Sequence, residues 1–299
     1  MRRIVSVWLI DWPVTVMARS VGPLAPPDPF AETAGPLALI LKTARGAVIH
    51  ALNPAARAVG LSRGQTQADA LAMIPHLECR PADPEADAKA LRALAVWAER
   101  WSPSVSLDAS DGGLEGLFLD VTGATHLFGG EAALVAQIER RLADAGARSR
   151  VAMAPTPGAA WALARWGTAR RIANDDARQL LAPLPVEALR IDAATLRQAR
   201  RFGLKTIGDL YPMPRSGLAR RFRDVDGAGL VRRLDQALGL TAEALIPVRA
   251  PARYRGWEAY AEPLTDTAGI EARVPGLAES LSRALERDGQ GARVLTLTA

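Results

Sequence analysis

The sequence predicts a mixed α/β (α+β) fold built from more than one domain. Strand-like and helix-like segments follow one another through residue 166, without the regular alternation of a βαβ series. After Pro183 the chain becomes mainly helical and rich in arginine. With 299 residues, of which 49% are hydrophobic and 23% charged, the chain has the composition of a globular protein and the length for two or three domains.

The first part of the chain predicts strands and two short helices. Residues 4–10 have a strand-like pattern, which we expect to end at Pro13. Two apolar runs within residues 37–51 flank Lys-Thr-Ala-Arg-Gly, the pattern of a β-hairpin. The segment that follows predicts two short helices interrupted at Gly60 and Gly64, since glycine breaks a helical pattern.

The next part of the chain alternates between longer helices and buried strands. The predicted order is the helix AKALRALAVWAERWSPSV, the strand LEGLFLDVTG, the helix EAALVAQIERRLADAG ending at Gly146, the strand ARSRVAMAP and the helix GAAWALARWGT. Between the first helix and the first strand, Asp108 and Asp111 lie in a glycine-containing loop. We expect them to be solvated turn residues.

Positive charge is concentrated in residues 190–233. This segment contains eleven Arg or Lys residues and four acidic residues, a net formal charge of +7, whereas the whole chain carries +5. A basic block inside a folded segment is typical of a surface that binds a polyanion, and we favour nucleic acid. The alternative is a solvated helical face in an arginine-rich chain that has only three lysines.

The basic segment contains a motif that resembles the helix-hairpin-helix. A predicted helix leads into the turn Phe202-Gly203-Leu204-Lys205-Thr206, and a new helix begins near Ile207. In such modules the backbone amides and the helix N-terminus bind phosphate without reading bases. The companion hairpin reads Arg190-Ile191-Asp192 and lacks its two glycines, so that Asp192 either repels phosphate or caps the next helix. Simple helix packing is the alternative for the intact turn.

The last part of the chain predicts a linker and the start of another domain. Residues 246–264 contain three prolines and have the composition of a linker that leads into another domain. The helix GIEARVPGLAESLSRALERDG and the strand ARVLTLTA follow. Because one strand cannot bury the apolar face of this helix, we expect the final domain to be truncated.

Other features limit the class of protein. No window approaches 18 uninterrupted apolar residues, so the sequence predicts no membrane span. The N-terminal apolar run contains Asp11 and lacks a small-residue cleavage site, which favours a strand over a signal peptide. The single cysteine, Cys79, excludes an internal disulfide and fits a reducing cytoplasm. Three widely separated histidines give little basis for a metal site.

The order of these segments resembles a Y-family (translesion) DNA polymerase over nearly the whole chain. The segments that carry the resemblance are ALNPAARAVGLSRGQTQADALAMIPHL for the fingers, WSPSV…LFLDVTG and RVAMAPTPGAAWALA for the palm, and FGLKTIGDL for the thumb. The tryptophan-rich start and LFLDVTGATHLFGGE are closer to the ImuB branch of that family.

The resemblance implies a right-hand architecture with a ferredoxin-like palm, small fingers and a helix-hairpin-helix thumb. The implied boundaries are palm 1–20 and 84–170, fingers 21–83, thumb 171–246, linker 247–252 and an apparently truncated little finger 253–299.

The positions that would hold the catalytic metals depart from the family pattern. Nucleotidyl transfer uses two metal ions bridged by carboxylates. The family supplies one Asp from the first strand and an Asp-Glu pair from the palm strand. Aligned without gaps, these positions are Trp8, Glu115 and Gly116 in this sequence. We therefore predict no catalytic metal site and no cofactor, with the indole of Trp8 filling the space of the metals.

A shifted metal site formed by Asp11, Glu115 and Asp120 is the enzymatic alternative. In a strand, residues 5, 7, 9 and 11 face away from residue 8, so Asp11 reaches the site only if a bulge rotates it. We expect Asp11 to be a residue of the strand end or of the turn before Pro13. Asp120 matches a palm carboxylate of the family outside the metal pair, and a structural hydrogen-bonding residue is the alternative for it.

Most of the residues with which the family contacts the nucleotide triphosphate are also missing from this sequence. The family's Tyr-x-x-Arg contact reads Pro54-Ala55-Ala56-Arg57, which leaves Arg57 as the residual residue of the nucleotide pocket. Its Asn-Lys pair after the palm strand reads Thr156-Pro157, and proline lacks even a backbone N–H. Joint loss of metal ligands and phosphate contacts predicts a polymerase fold without polymerase activity.

The predicted function is a noncatalytic polymerase homologue that binds DNA without sequence preference and acts as a scaffold in error-prone translesion synthesis. The predicted DNA-binding residues are Arg197, Arg200, Arg201, Lys205, Thr206, Arg220, Arg221, Arg253 and Arg255. The resemblance implies further partners: a sliding clamp, an ImuA-like RecA-type protein and an error-prone C-family polymerase. The implied location is the bacterial cytoplasm, at the nucleoid. A protein-interaction module without DNA binding is the third hypothesis.

Overall fold

The computed structural model divides the chain into two units, residues 1–248 and residues 249–299, which are described separately. The structure describes residues 2–20, 28–44, 46–109, 115–168, 177–223, 225–248, 254–260, 266–287, 289, 291–292 and 294–297. None of the helices in these ranges is long and apolar enough to cross a bilayer.

Strands and helices are interspersed through Trp166, and the elements that follow in the described part of the first unit are helices, which confirms the predicted mixed α/β class. The strands are β1 (Ile4–Leu9), β2 (Leu37–Thr43), β3 (Gly46–Leu52), β4 (Glu78–Pro81), β5 (Val105–Asp108), β6 (Gly116–Asp120) and β7 (Ser149–Ala154). The helices of this unit are α1 (Trp12–Ser20), α2 (Pro54–Ala58), α3 (Gln67–Met73), α4 (Pro84–Ala98), α5 (Glu131–Asp144), α6 (Pro157–Trp166), α7 (Ala177–Leu181), α8 (Ala193–Arg201), α9 (Arg215–Arg221) and α10 (Gly227–Ala237).

An antiparallel sheet with the strand order β5-β6-β1-β7 organises the first unit. Successive side chains of β1 point to opposite faces of this sheet. Val5, Val7 and Leu9 pack in a core with α4 and α5. Ile4 and Trp8 pack on the other face, in a core shared with α6 and with the thumb segment, by which we mean the described residues 177–246.

The second sheet has the order β3-β2-β4 and contains the predicted hairpin, β2 and β3. Strands β4 and β5 were not predicted. Each is four residues long, which is too short for alternation to be recognised in the sequence. Strand β4 is defined by parallel pairing with the distant β2, and β5 by antiparallel pairing with β6, the next strand along the chain. At the edge of the first sheet, Pro247 and Val248 pair with β5.

Helix α1 corrects the prediction for the end of the first strand. Asp11 forms the turn after β1 with φ = 60°, and the helix begins at the next residue. Pro13 therefore lies in the first turn of a helix, where its missing N–H leaves no helical hydrogen bond unmade. The indole N–H of Trp12 donates to the carbonyl of Asp87 at 3.0 Å and joins α1 to α4.

The second unit contains α11 (Thr267–Glu271) and α12 (Val274–Arg287), where the sequence predicted one helix. The break precedes Pro275, which occupies the first turn of α12 because it cannot donate a hydrogen bond further inside a helix. The predicted strand ARVLTLTA is wrong for the described residues 294–297, which form no strand and are exposed.

Candidate functional site

Trp8, Glu115 and Gly116 lie close together at one end of the antiparallel strand pair formed by β1 and β6. Trp8 is the direct partner of Gly116 in the register of the two strands. The amide of the next residue, Leu9, donates to the carbonyl of Glu115 at 2.8 Å. The three positions that the sequence aligned with the metal-binding carboxylates of the Y family are therefore neighbours.

The backbone around Gly116 leaves no room for a side chain. A Cβ atom at this position would lie 2.3 Å from the carbonyl oxygen of Val7 and 3.5 Å from the Cβ of Asp108. A contact of 2.3 Å with a backbone atom is far inside van der Waals distance, so the strand itself would have to move. The position that carries Glu in the family accepts only glycine in this conformation.

A buried arginine lies against Trp8. The guanidinium carbon of Arg165, on α6, is 5.3 Å from the ring centroid of Trp8 and 4.1 Å from that of Trp161. Nη2 of Arg165 lies 2.9 Å from Oδ2 of Asp108, and the indole N–H of Trp161 donates to the same oxygen at 2.7 Å. We call Trp8, Asp108, Trp161 and Arg165 the palm cluster.

Asp108 corrects the prediction of a solvated turn residue. It ends β5, is 2% exposed and accepts hydrogen bonds from two side chains of α6. Its predicted companion Asp111 lies outside the described residues. The buried carboxylate is stable because Arg165 neutralises it, which is the usual condition for a charge in a protein interior.

Arg165 introduces a positive charge into this region. Burial lowers the pKa of Arg165 to about 10, although the carboxylates of Asp108 and Glu115 oppose this shift. The guanidinium therefore stays protonated at neutral pH. Glu115 itself forms an ion pair with Arg63, which follows helix α2 in the chain.

The buried carboxylate of Asp11 forms ion pairs with two arginines. Its side chain is 4% exposed and pairs with both terminal nitrogens of Arg57, including an Nη2–Oδ2 distance of 2.6 Å. Arg148 approaches the same carboxylate at 3.3 Å. Asp11 is thus a turn residue, as predicted. Arg57, the predicted remnant of the nucleotide pocket, already has a bidentate ligand from its own chain.

The third carboxylate of the alternative metal site lies at the far end of β6. Asp120 is the register partner of Ile4, five residues from Glu115, which corresponds to about 16 Å of extended strand. Burial would raise the pKa of Asp120, but hydrogen bonds from Thr122 and Arg2 outweigh it and lower the pKa. Among the described residues, no group of three or more His, Cys, Asp or Glu side chains could hold a metal ion.

The thumb segment presents a basic surface. The exposed members of the predicted DNA-binding set in this segment are Arg197, Arg200, Arg201, Lys205, Arg220 and Arg221. Arg200 forms an ion pair with Glu187, although the guanidinium side chain stays 62% exposed. The side-chain amide of Gln198 donates to the carbonyl of Arg221 at 3.0 Å, which holds the C-terminal ends of α8 and α9 together. Arg255 is exposed in the second unit, and Arg253 lies outside the described residues.

In the turn that resembles the helix-hairpin-helix, two backbone amides donate hydrogen bonds to a side chain of the same motif. Gly203 adopts φ = 74°, and a single-turn 3₁₀ helix, Ile207–Leu210, follows. The amides of Lys205 and Thr206 donate to Oδ2 of Asp209 at 2.9 and 2.8 Å. These hydrogen bonds lower the pKa of Asp209. A phosphate would have to displace this carboxylate to reach the two amides.

The companion hairpin has a structural role. Arg190 adopts φ = 58° in place of the missing glycine, and its buried guanidinium pairs with Glu243 through distances of 2.8 and 2.7 Å. Asp192 caps α8 by accepting hydrogen bonds from the amides of Ala194 and Thr195. Of the two readings that the sequence left open for Asp192, helix capping is the correct one.

Comparisons with known proteins agree with this architecture. Residues 32–165 match the impB/mucB/samB family. Protein ImuB of two strains of Caulobacter vibrioides is 44% identical to this chain over 237 residues, which cover 79% of this chain and 50% of those proteins. The chain spans about half the length of the curated relatives it matches.

Solved structures share the fold over most of this chain. DinB from Sulfolobus solfataricus matches with a TM-score of 0.64 and 16% identity, over 81% of this chain and 69% of that chain. An insertion ternary complex of Dbh DNA polymerase matches with a TM-score of 0.62 and 15% identity, over the same shares. The predicted Y-family polymerase fold is confirmed.

Sequence reasoning missed the palm cluster. Helix α6 is almost entirely apolar and contains Trp161 and Arg165 four residues apart, hence on one face. A single cation on a buried face signals a missing acidic partner, and this signal was available. The sequence could not identify Asp108 as that partner, because 57 residues separate it from Arg165.

Proposed function

We propose that this chain is a noncatalytic, DNA-binding homologue of Y-family polymerases that acts as a scaffold in error-prone translesion synthesis after DNA damage. The observation that carries the proposal is the pairing of Trp8 with Gly116 beside the guanidinium of Arg165. The 44% identity to ImuB supports the branch of the family. We propose that the protein acts at the nucleoid in the cytoplasm, in accord with the free thiol of Cys79.

The palm cluster argues against two-metal catalysis. Phosphoryl transfer by this mechanism needs carboxylates that hold two cations about 4 Å apart. Here an indole and a glycine replace two of the three ligands, and a guanidinium is already present within about 6 Å of the indole. The remaining carboxylate, Glu115, is neutralised by Arg63. Two divalent cations would meet repulsion from Arg165 and too few ligands.

The thumb segment supports binding to the DNA backbone. Most of its exposed arginines lie in the C-terminal turns of α8 and α9, and a hydrogen bond from Gln198 joins these two helix ends. Contacts of this kind release counterions and carry no sequence information. We therefore expect sequence-independent binding that weakens steeply as the salt concentration rises. The clamp, ImuA-like and C-family polymerase partners are part of the proposal by family resemblance.

Charge reversal tests the DNA-binding part of the proposal. We expect Arg200→Glu/Arg201→Glu to weaken retardation of primer-template DNA at least tenfold and to reduce the salt dependence. Arg140→Glu/Arg141→Glu is the matched control, because these two exposed arginines lie on α5, outside the thumb segment. Equal binding by both variants and the wild type would contradict DNA binding by the thumb segment and favour the protein-interaction module.

A further inference from the structure

Phe202 is an exposed aromatic residue among the cations of the thumb segment. It is the C-cap residue of α8, and 43% of its surface is exposed. Its ring meets the buried ring of Phe222 edge-on, with 5.6 Å between the centroids. The guanidinium carbon of Arg221 lies 5.4 Å from the centroid of the Phe202 ring. A buried aromatic ring and a cation therefore hold the exposed ring in place.

The cations around Phe202 are arranged on both sides of it along the chain. Arg201 precedes it, and Lys205 follows it across the turn at Gly203. Arg221 comes from α9, and the hydrogen bond from Gln198 to its carbonyl keeps it beside α8. The surface therefore combines a fixed aromatic ring with three exposed positive side chains.

The turn offers side chains rather than backbone amides to a nucleic acid. Asp209 accepts the hydrogen bonds of the Lys205 and Thr206 amides, and its carboxylate would repel a phosphate at that point. Binding through the amides of the turn is thus disfavoured. Among the described residues, no carboxylate pairs with the side chain of Arg201 or Arg221, and 43% of Phe202 remains exposed beside Arg221. The aromatic ring then becomes the group that distinguishes this surface from a simple basic patch.

We propose that Phe202 is a stacking platform for an unpaired base, and that the thumb segment prefers single-stranded DNA for this reason. The proposal rests on the DNA binding proposed above. Base–aromatic stacking together with cations for the backbone is the general chemistry of single-strand binding, and it tolerates any sequence because every base has a π face. In a duplex the base faces are already stacked on one another, so the ring of Phe202 gains nothing there.

The proposal is tested with three fluorescently labelled ligands of equal length: an oligothymidylate, the same oligonucleotide with abasic sites, and a duplex. Phe202→Leu preserves apolar contact with Phe222 but removes the π face, and Phe202→Ala removes the ring entirely. Val59→Ala is the control, because Val59 is similarly exposed, at 45%, but lies outside the thumb segment. Circular dichroism and thermal melting verify that each variant is folded.

We expect both Phe202 variants to bind the oligothymidylate about 5- to 100-fold more weakly than the wild type, the range for loss of one stacked base. Binding to the abasic oligonucleotide and to the duplex should change less than twofold. If both variants bind the oligothymidylate as tightly as the wild type, or lose affinity equally for all three ligands, the stacking proposal is wrong and DNA binding itself stands. If the wild type binds none of the three ligands, the proposed function fails as well.

Discussion

Trp8 lies directly opposite Gly116 in the antiparallel pair of β1 and β6. The sequence aligned both positions with metal-binding carboxylates of the Y family. The indole lies beneath the guanidinium of Arg165, and Gly116 is enclosed by the backbone of Val7. Both residues are therefore packed closely against their surroundings. This packing leads to predictions about stability as well as activity.

Gly116→Ala should destabilise the protein. The added Cβ would lie 2.3 Å from the carbonyl oxygen of Val7, so β1 and β6 must separate locally. We expect a loss of about 1–3 kcal/mol in the free energy of unfolding, measured by urea denaturation. Gly35→Ala is the control, since a Cβ there meets nothing within 4 Å. Equal stability of both variants would show that the strand tolerates a side chain at residue 116.

Arg165→Met should remove the ion pair that Arg165 forms with the buried carboxylate of Asp108. Asp108 is 2% exposed, so we expect a loss of about 3–5 kcal/mol in the free energy of unfolding, or failure to accumulate as folded protein. The double variant Arg165→Met/Asp108→Asn removes both charges and should recover part of the loss. Strictly additive effects of the two substitutions would contradict a direct ion pair.

Asp11→Asn should weaken the attachment of Arg57 and Arg148 without straining the turn, because asparagine tolerates a positive φ. We expect a loss of about 1–3 kcal/mol in the free energy of unfolding. In a double-mutant cycle with Arg57→Gln, the combined loss should be smaller than the sum. Arg80→Gln is the control, since its partner Glu78 is half exposed. A coupling energy near zero would exclude the Asp11–Arg57 contact.

Acid should destabilise the thumb segment through Asp192 and Asp209. Hydrogen bonds donated by the hydroxyl and the amide of Thr195 lower the pKa of Asp192, and those donated by the Thr206 and Lys205 amides lower the pKa of Asp209. For carboxylates with a lowered pKa, the stabilisation is present above the unfolded value and is lost as the pH falls through the folded value, here below about pH 4. The thermal midpoint should therefore fall less between pH 5 and pH 3 for Asp192→Asn/Asp209→Asn than for the wild type. Identical slopes would contradict a role for these caps.

The sequence was sufficient to predict the order of most of the main strands and helices, and its resemblance to the Y family was sufficient to align Trp8, Glu115 and Gly116 with the metal-binding positions. It was sufficient because the apolar runs of β1 and β6 are long, and because ungapped spacing survives within a strand. It could not predict β5, whose four residues are defined by pairing, or the burial of Asp108 beside Arg165. Contacts between residues far apart in the chain leave no local pattern, and the same holds for the pairing of Asp11 with Arg57 and Arg148.

Primer extension is the measurement that tests the central claim most directly. A labelled primer-template with all four deoxynucleoside triphosphates, in Mg²⁺ and separately in Mn²⁺, should remain unextended by the chain under conditions in which a catalytically active Y-family polymerase extends it. Trp8→Asp should not create activity, because Gly116 still lacks a carboxylate and Arg165 still supplies a cation. Template-dependent incorporation by the wild-type chain that Glu115→Ala abolishes would contradict the account.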